Sequence, residues 1–191
     1  MPDRQKAALA IEAFLSALGR DPEKEPELKG TGKRVADAFL DELCAGYEVD
    51  VPALFSKNSI SQREASADES SAVVVRDIHL STTCPHHLMP AIGRATIAFE
   101  PNEKIVGVGT LVEVLHAYAW RLSLQEQIAE DVVAALFAGL APKWAAVKIV
   151  LSHGCMSARG KREHGALVEA VRIKGDRSSL EEIHRLLGVS A

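Results

Sequence analysis

The order of apolar and polar positions separates a helical first part of the chain from a mixed second part. In residues 3–19 apolar side chains recur every three or four positions and a glycine ends the run, which predicts an amphipathic helix. A second helix is predicted after Thr31, with apolar residues on one face as far as Cys44. The charged segment 21–26 between them contains two prolines and cannot continue a helix. The pattern therefore predicts a helical segment over residues 1–55.

Residues 56–71 differ from both flanks, because serine, glutamate, aspartate and asparagine dominate and large apolar residues are few. Such a composition cannot bury enough apolar surface to order a segment, so it predicts a mobile loop. We place the main domain after this loop, over residues 72–191.

The main domain contains alternating and β-branched runs typical of strands, and longer runs with helical periodicity. The predicted strands are 73–80, 91–99, 145–151 and 166–173, and the predicted helices are 111–120, 124–139 and 180–187. Two strands precede two helices, and two further strands precede the last helix, without strand–helix–strand alternation. This order predicts an α+β domain built from antiparallel hairpins.

The chain has 191 residues, of which 47% are hydrophobic and 25% are charged, as is typical of one folded domain with an appended segment. Lysine and arginine number 22 against 26 acidic residues, so the net charge of −4 provides no general attraction for nucleic acid or an anionic membrane. No apolar run is long enough to span a bilayer, and the first residues lack the apolar core of a signal peptide. We therefore expect a cytoplasmic protein.

Cysteine and histidine side chains gather in two short segments of the main domain. The chain has three cysteines, an odd and widely spread set, which argues against disulfides and favours a metal site or catalysis. Cys84 and His87 stand three positions apart, so a tight turn brings them to one point more readily than the adjacent pair His86 and His87. His153 and Cys155 share one face if that segment is a strand.

Thiolates and imidazoles are the ligands that zinc prefers in proteins. Cys84, His87 and Cys155 would supply three ligands and leave a fourth position open, which is typical of catalytic zinc. The imidazoles of His86 and His153 would then stand beside the metal for proton transfer. In the alternative, each cysteine is a small buried apolar residue and the histidines only stabilise turns. Five such residues in two compact segments favour the metal site.

Four segments of the chain resemble the GTP cyclohydrolase I family in content, order and spacing. They are Arg76-Asp77-Ile78, Thr82 to Leu88 with the sequence TTCPHHL, Arg121 to Glu126 with the sequence RLSLQE, and Ser152 to Gly160 with the sequence SHGCMSARG. The resemblance covers about residues 28–187 and is weakest before residue 70. Cys-x-His-His followed later by His-x-Cys-Met-x-x-Arg-Gly is specific as a combination, whereas each half alone is a weak signal.

The resemblance implies the tunnelling fold (T-fold), in which an antiparallel sheet carries two helices on one face and subunits join side by side into a barrel. It implies a homo-oligomer, usually a decamer, with active sites between subunits. It also implies a Zn2+ ion held by Cys84, His87 and Cys155, with His86 and His153 as catalytic residues that transfer protons. The implied reaction is hydrolytic opening of the guanine imidazole ring of GTP, loss of C8 as formate, and closure to 7,8-dihydroneopterin triphosphate.

Three further residues match substrate-binding positions of the family. Gln125 and Glu126 match the positions at which a carboxylate accepts hydrogen bonds from N1–H and the amino group of guanine, and Arg159 matches an arginine that contacts the triphosphate. A buried carboxylate facing two donors would reject adenine. Ser123 and Glu126 also form the pattern of a capping box, in which Glu126 only satisfies the helix N-terminus. We favour purine recognition, because the family match is independent of capping.

The chain departs from the family pattern at four positions. The family has Ser-Lys and a basic residue where this chain has Gly109, Thr110 and Glu113, and a glutamate where it has Pro85. Two cations are lost and an anion is gained where the family holds phosphate, so the sign of the interaction with a polyanion changes. Two alternatives to the full reaction follow. One is a cyclohydrolase that takes a less phosphorylated purine or stops before the pterin ring closes, and the other is a zinc- and purine-binding oligomer without catalysis.

Overall fold

A computed structural model describes residues 2–61, 71–176, 178 and 180–188. The chain forms two compact units, one from residues 1–45 and the other from residues 46–191. The boundary that the sequence places after residue 55 lies instead inside a helix of the second unit. The described part of the predicted loop, residues 56–61, contains the end of that helix and a short strand, while residues 62–70 lie outside the described residues.

The first unit is helical, as the spacing of its apolar residues predicts. Helix α1 is Arg4–Ala17, and the side chain of Asp3 caps it by accepting a hydrogen bond from a backbone N–H of its first turn. Helix α2 is Thr31–Ala38, and a π-helical turn continues it to Leu43. The periodicity of the sequence does not distinguish this wider turn from a further α-helical one.

Helix α1 exposes much of its apolar face. Leu9, Phe14 and Leu18 at the end of the helix are 56%, 60% and 61% exposed, and no residue of the helix is buried. The guanidinium of Arg4 donates to Asp37 and Asp41, and this contact holds the pKa of the Asp41 carboxyl below its usual range. Exposed ion pairs of this kind contribute little to stability. The exposed apolar face of α1 is the part of this unit that another surface would cover.

The second unit contains the sheet and the remaining helices. Its helices are α3 Val51–Asn58, α4 Val108–Ala119, α5 Gln125–Leu140, α6 Gly154–Ser157 and α7 Leu180–Leu187. Its strands are β1 Ser59–Ser61, β2 Val73–Thr83, β3 Pro90–Glu100, β4 Lys104–Val106, β5 Trp144–His153 and β6 Val168–Gly175. The strands and helices that the sequence predicts for the main domain are all present, with ends that differ by a few residues. None of the described helices is long and apolar enough to cross a membrane.

Four short elements were not predicted. Strands β1 and β4 have three residues each and pair antiparallel across a long stretch of sequence, and α6 is a single turn, so none carries a readable period. Helix α3 does carry a local signal, because Asp50 accepts a hydrogen bond from the backbone N–H of Ala53 and a proline stands in the first turn.

The main sheet is antiparallel throughout and has the order β2-β3-β5-β6. Two hairpin-like pairs, β2 with β3 and β5 with β6, meet along β3 and β5. Strands β2 and β6 therefore form its two edges. This arrangement confirms the α+β class and the T-fold architecture of the chain.

Helices α4 and α5 cover one face of this sheet, as expected. Alternate residues of β5 belong to the core beneath the helices, and they are Ala145, Val147, Ile149 and Leu151. The helices contribute Leu111, Val114, Leu115, Ile128, Val132 and Leu136, each of which is buried. The inward-facing residues of the strand, two positions apart, and those of the helices, three or four positions apart, thus pack together in one apolar layer.

The opposite face of the sheet carries α7. Ile183 and Leu187 of this helix pack with Trp144 and with two alanines of β3 and β5 in a second, smaller cluster. Carbonyl groups at the C-terminal end of α7 accept hydrogen bonds from Arg76 and Lys148, at 2.9 and 2.8 Å respectively. Cations at this position also oppose the negative end of the helix dipole.

A β-bulge interrupts β2. The pairing with β3 shifts by one residue between Val75 and Ile78, and Asp77 has a φ of 56°. Val75 before the bulge and Ile78 after it both pack into the core beneath α4 and α5, although regular alternation would place them on opposite faces.

Candidate metal centre

A tight turn joins β2 to β3 and carries Cys84, His86 and His87. The backbone N–H of Cys84 donates to the carbonyl of Met89, and the N–H of Leu88 donates to the carbonyl of Cys84, both at 2.9 Å. Leu88 has a φ of 52°, in the left-handed region, which turns the chain back toward β3. These two hydrogen bonds close the turn around the cysteine.

The pairing of β3 with β5 brings Cys155 to this turn. Ala91 of β3 lies opposite His153, the last residue of β5, and Gly154 follows as the first residue of α6. A Cβ atom on Gly154 would lie 2.8 Å from the carbonyl oxygen of Pro90, so only glycine allows the two segments to approach this closely. Cys155 therefore comes directly after the point where β5 meets the turn.

The donor atoms of Cys84, His87 and Cys155 all lie within 4.8 Å of one another. Two thiols and an imidazole at these separations fit a zinc ion, whose bonds to sulfur and nitrogen are about 2.3 and 2.0 Å long. Within the part of the chain that the structure describes, no other group of three possible ligands comes together. Cys84 is buried and His87 is exposed, so the group opens to the surface on the histidine side.

Gln125 fixes the ring of His153. Its side-chain amide donates to the carbonyl of Ile149 at 2.8 Å and to that of Val168 at 2.9 Å. Both amide hydrogens are thus used, and Oε1 faces Nε2 of His153 at 2.8 Å. Because Oε1 can only accept, Nε2 carries a hydrogen, and Nδ1 is the nitrogen of the neutral ring that can accept a proton.

The start of α5 is tied to the same end of the sheet. Leu122 forms an isolated bridge with Thr83, and Oγ1 of Thr82 donates to the carbonyl of Arg121 at 3.5 Å. Arg121 donates in turn to the carbonyl of Ala117 at 2.7 Å, near the end of α4. The segment between α4 and α5 therefore runs beside the last residues of β2, and α5 begins close to the turn that carries the cysteine.

Glu126 lies in the first turn of α5 and is exposed. The N-cap residue is Leu124, not Ser123, and no side chain caps the helix. The capping box expected as an alternative is therefore absent, because the helix begins one residue too late for Ser123 to serve as its cap. Glu126 has no hydrogen bond or ion pair with any described residue.

The described contacts leave His86 and Arg159 outside the donor group. The rings of His86 and His87 approach edge to face, with centroids 6.4 Å apart. Arg159 follows α6 and is exposed, without an ion pair among the described residues. The backbone N–H of Glu163 donates to the carbonyl of Met156, so the segment after α6 folds back on that helix and holds Arg159 near it.

The positions that depart from the family pattern lie at the start of α4. Gly109 and Glu113 are exposed, and Thr110 is buried. Residues 109 to 119 span roughly 15 Å along the helix axis, and the far end of α4 is the one beside the sheet end that carries Cys84. Within a single chain, these positions therefore stand well away from the donor group.

Gln125 and Gly154 have structural roles that the sequence alone did not assign. The sequence predicted Gln125 as a substrate-binding residue, but Gln125 is 2% exposed and its side chain bonds to His153 and to two backbone carbonyls. Its partners are backbone atoms distant in sequence, which leave no local signal. Gly154 does have one, because a glycine between a histidine and a cysteine in a strand run marks close backbone approach.

Comparisons with known proteins place this geometry in context. The family model of GTP cyclohydrolase I matches residues 7–186. A protein of Streptococcus agalactiae called GTP cyclohydrolase 1 is 35% identical over 196 aligned positions, covering 98% of each chain. One of Leifsonia xyli with the same name is 33% identical over 175 positions, covering 91% of this chain and 88% of the relative. A crystal structure of the apo form of the archaeosine synthase QueF-Like aligns with a TM-score of 0.47 at 17% identity, over 57% of this chain and 98% of the other.

Proposed function

The chain belongs to the GTP cyclohydrolase I family, and on that premise we propose that it is a zinc-dependent hydrolase that opens the imidazole ring of guanine in GTP. The ring carbon C8 leaves as formate, and the product closes to 7,8-dihydroneopterin triphosphate. The observation that carries the proposal is the convergence of Cys84, His87 and Cys155 at one end of the sheet.

Cys84, His87 and Cys155 are the proposed zinc ligands. The chemistry of the donor set supports this, because two thiols and an imidazole are a zinc-type set and three protein ligands are the number found in catalytic sites. When bound, zinc supplies Lewis-acid chemistry that activates water for attack at neutral pH. The free thiols of Cys84 and Cys155 need a reducing compartment, so we place the enzyme in the cytoplasm.

His153 and His86 are the proposed proton-transfer residues. Nε2 of His153 is held as a donor by Gln125, so its Nδ1 exchanges the proton with the substrate. Gln125 acts here as a positioning residue, because it fixes the tautomer and the ring plane and leaves no donor of its own free. His86 is exposed beside a ligand histidine, where it can exchange protons with both substrate and solvent.

Glu126 is the proposed guanine-binding residue. Its carboxylate is exposed and unpartnered among the described residues, next in sequence to the residue that orients His153. A carboxylate that receives N1–H and the amino group of guanine makes two charge-assisted hydrogen bonds, which adenine cannot supply. Arg159 is the proposed contact to the phosphate chain, since it is a free cation in the segment that follows Cys155.

We propose a homo-oligomer, with the decamer of the family as the expected form and with active sites between subunits. The start of α4 lies roughly 15 Å along the helix from the end beside the donor group of its own chain, which favours a contribution to the phosphate site of a neighbouring subunit. Strands β2 and β6 are open edges within the described sheet, and α1 exposes Leu9, Phe14 and Leu18. A further subunit is the simplest cover for these surfaces.

Incubation of the zinc-loaded protein with GTP tests the proposal. We expect one formate per GTP and a product that becomes a fluorescent pterin after oxidation. Absence of formate with GTP, GDP, GMP and guanosine would exclude the enzyme and leave a zinc- and purine-binding oligomer. Light scattering of the same sample measures the number of subunits.

A second candidate reaction is supported by Glu113. At the start of α4 this exposed carboxylate replaces a cation of the family pattern, and Thr110 replaces another. Repulsion of a triphosphate favours a substrate with fewer phosphates, or a reaction that stops before the pterin ring closes. Formate without pterin would identify the second form of this alternative.

A further inference from the structure

A cavity of about 430 Å³ lies in the second unit and shares no lining residue with the candidate metal centre. It is bounded by α3, α4, α5 and the small sheet of β1 and β4, and it opens to the surface beside the exposed residues Ile60, Ser61 and Lys104. Cavities of this size that are mainly apolar and contain a few polar groups are typical of sites for small ligands. Nothing in the proposed reaction uses it.

The apolar walls come from the helices. Val51 and Phe55 of α3 face Ala135, Ala138 and Gly139 of α5 across the cavity. The ring of Phe55 takes the place that a side chain would occupy at Gly139, since a Cβ atom there would lie 2.3 Å from the ring. Gly139 thus makes room for the ring of Phe55, which forms this wall of the cavity.

The polar groups of the cavity are donors or cationic. The hydroxyl of Ser59 is the one buried side-chain N or O atom in the described residues without a hydrogen-bond partner. Burial raises the pKa of Tyr118, so its phenol stays protonated and can donate. Lys104, which pairs with Ser61 across the β1–β4 ladder, is exposed and has no ion pair among the described residues.

No acidic residue appears among the described lining residues. An apolar body would therefore be stabilised by the helical walls, and a single negative group by Lys104 with the two hydroxyls. From this combination we propose that the cavity binds a small aromatic monocarboxylate. The site is separate from the proposed function and stands whether or not that function is confirmed.

The test compares naphthalene-2-carboxylate with the neutral naphthalene-2-carboxamide, using isothermal titration on the intact protein. We expect the carboxylate to bind roughly fivefold or more tightly than the amide, as one partly exposed charge contact implies. Lys104→Gln should remove this difference, whereas Lys57→Gln, an exposed lysine of α3 outside the cavity, should preserve it.

A second pair of variants tests the location. Ala138→Trp fills the cavity and should abolish binding of both ligands, while Ala134→Trp, one turn earlier on α5 and equally exposed, should not. The proposal is overturned if the two ligands bind equally, or if the carboxylate still binds to Ala138→Trp. It is also overturned if neither ligand binds and Ala138→Trp changes the oligomer mass, because a second chain then occupies the cavity. Circular dichroism shows whether each variant is folded.

Discussion

Oε1 of Gln125 lies 2.8 Å from Nε2 of His153, and the rest of the Gln125 amide is bound to backbone carbonyls. The hydrogen-bond direction is therefore determined by the surrounding backbone and not by the histidine. A histidine held in this way presents the same nitrogen to a substrate in every catalytic cycle.

Replacement of Gln125 by methionine should impair turnover without loss of zinc. The volume is nearly conserved, but His153 loses its acceptor and two carbonyls lose their donors, so we expect kcat to fall roughly 10- to 100-fold. The pH–rate profile should also change, which a purely structural defect would not cause. Gln127→Met is the matched control, because Gln127 is exposed on the same helix and, among the described residues, its side chain bonds to Asp131 alone. An unchanged profile in Gln125→Met would contradict the positioning role.

Removal of any one proposed ligand should release the metal. Cys84→Ala, His87→Ala and Cys155→Ala each leave two of three ligands, so zinc content per subunit and formate release should fall together. Cys44→Ala, which removes a cysteine of the first unit, should keep both. Atomic emission of the dialysed protein measures the metal, and retention of zinc in His87→Ala would show that the ligand assignment is incorrect.

The two remaining histidines should behave differently from the ligands. His86→Ala and His153→Ala should retain zinc and lose turnover by about 10²- to 10⁴-fold, the range for a general acid or base. Single-turnover formate release measures the effect on ring opening. If His86→Ala lost the metal, His86 and not its neighbour would be the ligand.

Gly154 should be required for zinc affinity. A methyl group at this position collides with the Pro90 carbonyl and must push the α6 segment away from the turn, so Gly154→Ala should weaken zinc binding roughly 10- to 100-fold. Gly165→Ala is the control, since a Cβ atom there meets nothing within 4 Å. Equal zinc affinity in both variants, measured by competition with a chelator, would rule out the close approach as a determinant of the site.

The substrate preference should depend on the start of α4. We expect a smaller advantage of GTP over GMP and guanosine than two cations at positions 110 and 113 would give. Glu113→Arg should raise kcat/KM for GTP on the order of tenfold and leave that for guanosine nearly unchanged. Val112→Leu, an apolar change one residue earlier, is the control. A wild-type preference for GTP of many decades would mean that cations elsewhere hold the phosphates.

Local patterns were sufficient to predict the strands of the sheet, helices α4 and α5 and the candidate ligands, whereas the covering of one sheet face by these helices was implied by the family resemblance. Cys84 and His87 were paired from their spacing alone, because a turn brings residues i and i+3 together wherever it lies in a fold. Residues 180–187 were predicted as a helix and form α7 with the same ends. In each case the information lies within one turn or one strand.

The parts that were missed depend on contacts between distant segments. In the sequence, Gln125 resembles a surface residue at the start of a helix. Only in the fold do β5 and β6 bring the carbonyls of Ile149 and Val168 against its side chain. Strands β1 and β4 exist only as a pair, so neither three-residue run has a pattern of its own. The start of α5 shows the same limit. The capping motif indicates Ser123 as the N-cap, but packing starts the helix one residue later, with Leu124 as the N-cap.

The β-bulge at Arg76 and Asp77 also makes the position of Cys84 depend on the number of residues in β2. A strand has only two phases, and Val75 and Ile78 share the core only because one extra residue stands between them. Deleting only that extra residue would leave Val75 and Ile78 two positions apart, on the same face of a regular strand. Deleting two residues would make them neighbours on opposite faces, so that either the valines before the bulge leave the core or Cys84 turns away from Cys155. The site can thus be lost without changing a single one of its residues, by an alteration in an edge strand several positions upstream.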